Sequence, residues 1–132
     1  MDVTVDNLRP QVDSICYGAI SATRAVLPPM VRAGSGTVLY TTGASSVTPT
    51  PWAATAGAAG AALRNWALTL NSALADKGIY VGHVAIGAWI AGTPSSPPDR
   101  AVTRASDLQD LLLRWPVGLK RTRSVNADGP GP

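Results

Sequence analysis

The chain carries one histidine and one cysteine, so its chemically capable residues can be taken one by one. His83 stands between Gly82 and Val84 in an apolar run, and Cys16 falls on the apolar face of a helical stretch. One thiol excludes an internal disulfide, and one thiol with one imidazole leaves no soft ligand set for a metal ion. A serine hydrolase would need a G-x-S-x-G turn and a histidine base. Ser45 and Ser46 sit in GASSV without the second glycine, and His83 reads as a core histidine making one hydrogen bond. Tyr40 and Tyr80 lie in strand-like runs and read as packing residues. Phosphate-binding turns follow a strand and open a helix. Gly34-Ser35-Gly36 precedes a strand instead, and Gly57 and Gly60 lie inside a helical stretch.

The elements that must hold these residues follow from periodicity. Residues 4 to 33 start at Thr4, a good cap, and space Val12, Ile15, Cys16, Ala19, Ile20, Val26 and Leu27 by threes and fours, one face of a helix. Pro10 predicts a kink or a later start, and Pro28-Pro29 predict its close or a bend. Thr37 to Thr42 (TVLYTT) is a β-branched and aromatic run of strand length, and GASSVTPTPW from Gly43 to Trp52 is a loop at its carboxyl end. A second helix is predicted from Ala53 to Lys77, with Leu63, Trp66, Leu70 and Leu74 at helical spacing and Gly78 as a left-handed stop. Its first turns (AATAGAAGAA) are built of small residues, which allow close approach of a helix or a cofactor. Ile79 to Ile86 (IYVGHVAI) reads as a buried strand. Two apolar strands joined by a helix form a parallel crossover, half of a doubly wound α/β sheet.

The 132 residues suffice for one domain, and 45% apolar with 14% charged residues favours a packed core over a disordered chain. A net charge of +3 is too small to imply a nucleic-acid partner. The acidic, proline-bearing start MDVTVDNLRP lacks the form of a secretory signal, and no run is long enough for a membrane span, so a reducing cytoplasm is expected. A change of composition divides the chain into a partial doubly wound α/β domain over residues 1–93, Rossmann-like in the resemblance given below, and a remainder over 94–132. That remainder reads as a linker (GTPSSPPDR), a short helix from Ser106 to Leu113 with a Ser106/Gln109 capping box, and a disordered basic tail.

The order of landmarks resembles the second half of the Rossmann domain of short-chain dehydrogenases/reductases. In that family a helix ends near Leu-Pro-x-Met, a Gly-x-Ile/Val strand leads to a catalytic Ser, a helix carries Tyr-x-x-x-Lys, and a Gly-Ile-x-Val strand ends at Pro-Gly. Leu27-Pro28-Pro29-Met30, Gly36-Thr37-Val38, Gly78-Ile79-Tyr80-Val81 and Ile86-Gly87 match in order over residues 4 to 93. The resemblance implies an oxidoreductase using NAD or NADP on a small carbonyl or alcohol substrate. It implies that Thr41, Gly43, Gly87, Ile90 and Thr93 line the nicotinamide and substrate pocket, with Trp52 and Trp89 flanking it. It also implies a homo-oligomer through helices 4–33 and 53–77.

The catalytic positions depart from the family. Registered on Gly36, the family's Ser falls on Gly43, its Tyr on Ala56, its Lys on Gly60 and its helix asparagine on Ile15, while Ile86 replaces the proline. No catalytic residue is intact, leaving Ser45 or Ser46 as hydroxyl substitutes. The Gly-rich cofactor turn and the ribose-binding acid are not in the sequence, as in a truncated or pseudoenzyme member. The rival reading is therefore a non-catalytic helix-pairing module. With helices for one sheet face only, either Val38, Tyr40 and Val84 or Leu39, Val81 and Ala85 are expected to be left bare.

Overall fold

The computed structural model describes residues 2–90, together with the backbone of 102–103, 122–126 and 129–130. Thr4 caps the first helix, α1 (Val5–Val12), through a reciprocal box in which the Asn7 N–H donates to Thr4 Oγ1 and the Thr4 N–H donates to Asn7 Oδ1. Pro10 lies inside α1, and a π-helical turn, Asp13–Tyr17, follows it. That wider turn carries Cys16, whose buried thiol donates to the Ala59 carbonyl at 3.1 Å. Burial pushes the Cys16 thiol up from its ordinary range, as expected of an inert packing thiol. Helix α2 (Gly18–Ala33) continues from the turn.

Pro28 and Pro29 do not close α2, which runs on to Ala33. Leu27 and Met30 pack against the core on either side of them. The helix ends instead at Gly34, in the left-handed region, where the Ser35 and Gly34 N–H groups bond the last carbonyls. Strand β1 (Gly36–Gly43) leads through a 3₁₀ turn, Ala44–Ser46, and a second one, Pro51–Ala53, into α3 (Ala54–Leu74). A further 3₁₀ turn, Ala75–Lys77, stops at Gly78 with φ of 70° before β2 (Ile79–Gly87). A Cβ at Gly78 would collide with the Gly34 carbonyl, so the two left-handed glycines abut at the amino end of the sheet.

β1 and β2 pair in parallel over their whole length, from Gly36 with Ile79 to Gly43 with Ile86. Parallel neighbours require a crossover connection, which α3 supplies. One core lies between the helices and one sheet face: Cys16 from the π turn, Ala59, Leu63, Ala67, Leu70 and Leu74 from α3, and Tyr40, Ile79 and Val81 from the strands. Asn71 joins it, its Oδ1 accepting the Val81 N–H at 3.0 Å, and the Tyr40 hydroxyl meets Thr23 Oγ1 at 2.5 Å.

The register corrects the expected faces. Val38 pairs with Val81 and Thr41 with Val84, so Val81 and Ala85 share the helix-covered face with Val38 and Tyr40, while Val84 lies with Leu39 on the other. Val81, Val84 and Ala85 are all buried, and Leu39 packs over Gly82. Two short segments of the stretch read as a basic tail are described as strands. Strand β5 (Thr122–Asn126) adds to β2 in parallel, from His83 with Thr122 to Gly87 with Asn126, and β6 (Gly129–Pro130) returns antiparallel, giving the order β1-β2-β5-β6. A short second sheet pairs β3 (Trp89–Ile90) with β4 (Val102–Thr103). The expected linker and the helix at Ser106–Leu113 lie outside the described residues. Leu63 is 4% exposed at the centre of the core, and Leu63→Ala is expected to lower unfolding free energy by about 2–5 kcal/mol, measured by urea denaturation.

Candidate functional site

The carboxyl ends of β1 and β2 bring the sequence-expected residues to one edge. Gly43 pairs with Ile86, and Gly43 and Gly87 are both exposed there. Thr41 is exposed on the sheet face away from α3, and Ile90 lies in β3 just beyond β2. Thr93 lies outside the described residues. Trp52, in the 3₁₀ turn before α3, and Trp89, two residues beyond Gly87, stack with ring centroids 6.4 Å apart and planes 20° from parallel, and Trp52 is 77% exposed.

The two serines differ sharply. Ser46 is buried, and its hydroxyl donates to the Gly43 carbonyl at 2.9 Å while accepting from Thr42 Oγ1 at 2.7 Å. Ser45 is half-buried, with Oγ 3.7 Å from where a Cβ on Gly43 would stand. Below them, Thr42 Oγ1 lies 2.8 Å from His83 Nε2. His83 is fully buried and makes this one hydrogen bond among the described residues, with Nδ1 left unpartnered. The contact of Thr42 with His83 was missed in the sequence, because 41 positions separate them and only the strand register brings them together. Its one visible signal was a polar histidine in a run of apolar residues.

Helix α3 closes over the same turn. A Cβ on Gly57 would stand 3.0 Å from the Ser45 carbonyl oxygen, and one on Gly60 would stand 3.0 Å from Ser46 Cβ and 3.5 Å from Thr42 Cβ. The small residues of α3 thus serve close approach to the chain's own turn. Ile15, at the family's asparagine position, lies in the π turn and packs against the core. On the other side of α3 from Ala56 and Gly60, Val3, Pro49, Pro51, Ala54, Ala58 and Ala61 line an apolar cavity of 570 Å³. Among the described residues no group of three His, Cys, Asp or Glu could hold a metal, and no helix is long and apolar enough to cross a membrane.

The family model described as short chain dehydrogenase matches residues 3–97. The chain belongs to this short-chain dehydrogenase family. An acetoin dehydrogenase from Enterobacter cloacae is 31% identical over 70% of this chain and 36% of its own, with a TM-score of 0.63. An acetoin dehydrogenase from Salmonella typhimurium is 25% identical over 96% of this chain and 56% of its own, with a TM-score of 0.72. A 3-oxoacyl-[acyl-carrier protein] reductase with bound NAD from Brucella melitensis is 22% identical, covering 95% of this chain and 52% of its own at a TM-score of 0.77. The chain thus spans between a third and somewhat over half of these dehydrogenase structures. Among curated proteins no match is found. Gly57 and Gly60 of α3 form one close-packed seam with Ser45, Ser46 and Thr42, next to the strand end at Gly43.

Burial, followed by the positive charge of Arg64, pulls the His83 pKa from its ordinary 6.5 down to about 4. The unfolded chain takes up the proton near 6.5 and the folded chain resists it. The stabilisation is therefore complete above pH 6.5 and is lost as pH falls toward 4, by at most about 1.4 kcal/mol per pH unit. Urea unfolding at stepped pH is expected to show this slope as the difference between the parent chain and His83→Gln.

Proposed function

We propose that residues 1–93 form the nicotinamide- and substrate-side part of an NAD(P)-linked oxidoreductase acting on a small carbonyl or alcohol, in a reducing cytoplasm. The observation that carries this reading is the place of the Ser45 hydroxyl, 3.7 Å from the Cβ that Gly43 lacks, beside the family's serine position. The edge suits a flat cofactor ring. Gly43 and Gly87 are exposed there without side chains, and Trp89, two residues beyond Gly87, stacks with Trp52. Thr41, Ile90 and Thr93 complete the expected lining. The NAD-bound state of the Brucella reductase and the small carbonyl chemistry in the names of the acetoin dehydrogenases support the cofactor and substrate class.

When bound, the nicotinamide supplies hydride to the carbonyl carbon. Ser45 holds the carbonyl oxygen by donating its hydroxyl proton in a hydrogen bond, stabilising the charge that develops there. Ala56 and Gly60 carry no ionisable group, so the proton that completes the alcohol comes from water rather than from a Tyr-x-x-x-Lys pair. Ser46 is spent on the Gly43 carbonyl and holds the turn. Titration of NADPH or NADH to millimolar concentration is expected to quench the fluorescence of Trp52 and Trp89. Unchanged emission from the parent chain, when Trp52→Leu and Trp89→Leu each remove part of the signal, would refute the cofactor reading.

A second reading is favoured by the outer surface of the helices. Val5 is 68%, Tyr17 59% and Val26 44% exposed, and the apolar cavity beside Val3 runs along α3. Helices 4–33 and 53–77 then act as a pairing surface for a second copy, with or without catalysis. Light scattering at tens of micromolar is expected to give a dimer mass or larger. A clean monomer would remove this reading.

A further inference from the structure

Three hydroxyl or imidazole groups line up beneath the candidate site, and their proton inventory fixes the direction of the bonds. The Ser46 hydroxyl has one proton, and its 2.9 Å contact with the Gly43 carbonyl requires it as the donor. The Thr42 proton has two acceptors in reach, Ser46 Oγ at 2.7 Å and the Gly43 carbonyl at 3.3 Å, and the shorter contact, to an oxygen whose own proton is already committed, takes it. With that proton engaged, Thr42 Oγ1 meets His83 Nε2 at 2.8 Å as an acceptor, so the imidazole carries its proton on Nε2. The orphaned Nδ1 agrees. As a bare lone pair it is an unfilled acceptor, whereas an N–H there would be a buried donor without a partner, which folded chains tolerate less.

We propose that His83 is the positioning residue of the candidate site. It acts through Thr42 and Ser46 to fix the Gly43 carbonyl, and so to hold the 43–47 turn with the Ser45 hydroxyl at the sheet edge. The inference rests on the role given to Ser45 above for its functional meaning, but the relay itself stands on the geometry. The chain is directional: the imidazole donates to Thr42, Thr42 to Ser46, and Ser46 to the carbonyl. His83 is fully buried and rooted in β2, which is paired to β1 along its length, so the relay refers the turn to a fixed point of the sheet. α3 presses on the turn from above at Gly57 and Gly60, which leaves the relay as the polar seat below it. A hydrogen-bonded chain anchored on buried His83 and Ser46, with its protons assigned, gives one geometry rather than several.

The test uses the full chain, labelled with ¹⁵N. Its one histidine gives one imidazole spectrum. At pH 7 the parent chain is expected to show the tautomer protonated at Nε2 and bare at Nδ1. Thr42→Val is expected to perturb that signature and to speed amide exchange at Ser45 about tenfold, the worth of one hydrogen bond. Thr42→Ser, which keeps the hydroxyl, is expected to restore both. Ser46→Ala leaves the Thr42–His83 contact in place and cuts the relay beyond it. It should speed exchange at Ser45 with the imidazole signature retained, and it serves where Thr42→Val does not fold. In the ligand arm, the Kd for NADPH read from tryptophan quenching is expected to rise about tenfold in Ser46→Ala and not in Thr42→Ser. A parent imidazole protonated at Nδ1, or Ser45 exchange unchanged in the folded variants, would overturn the proposal. So would a parent chain that binds NADPH with a Kd the Ser46→Ala change leaves unaltered. Absence of NADPH binding by the parent chain would instead refute the cofactor reading, with the imidazole and exchange measurements still deciding the relay.

Discussion

The seating of α3 on the Ala44–Ser46 turn governs how the rest of the molecule is arranged. Two glycines make it possible, since Gly57 lets the helix approach the Ser45 carbonyl and Gly60 lets it approach Ser46 and Thr42. Glycine inside a helix costs about 1 kcal/mol relative to alanine, so the seam is not free. Buried Leu63, Leu70 and Leu74 on the same helix offset it, at roughly 1.5–3 kcal/mol for each side chain removed from water. The balance lets a helix of weak amphipathic character in its first turns dock firmly at both ends. Its far end meets the sheet through Asn71, and its near end covers the residues where chemistry would occur.

Gly43 and Gly60 are linked through the turn that lies between the strand end and α3. A lysine at position 60 would begin with a Cβ already 3.0 Å from Ser46 Cβ, and the turn holding Ser46 also carries Ser45 toward the space left by Gly43. A side chain at position 60 would therefore press on the turn that ends beside Gly43. Gly43, Gly57 and Gly60 belong to one close-packed arrangement of helix, turn and strand end.

The strongly periodic parts of the fold were readable from the sequence alone. Leu63, Trp66, Leu70 and Leu74 announce α3, the run TVLYTT announces β1, and Gly78 marks a left-handed stop that the backbone adopts. Other features depend on partners that a linear reading does not see. TRSVN has a single apolar residue, and it becomes a strand by pairing with an edge that β2 provides. The faces of β2 depend on register, which sets Val84 opposite Thr41 and away from Val38 and Tyr40. The π turn after Pro10 makes room for Cys16 to reach the Ala59 carbonyl, a long-range contact with no local pattern. The candidate site was legible as a place, through Gly43, Gly87 and the serines. The division of labour between Ser45 and Ser46 required their burial and bonding.

The Asn71 side chain gives β2 an unusual support. β5 pairs with β2 only from His83 onward, whereas the Val81 N–H, two residues earlier, is held by a helix amide. The first residues of β2 therefore have their backbone satisfied by α3 and β1, without help from the later segment. Loss of β5 would uncover the carboxyl half of β2 but leave its beginning tied in place. The strand is thus divided into an early half belonging to the helix–sheet unit and a late half shared with whatever lies alongside, and the candidate site sits at the shared end. The edge at Gly43 and Gly87 is thus completed by a segment from far along the chain, while the strand's start at Val81 is held by its immediate neighbours alone.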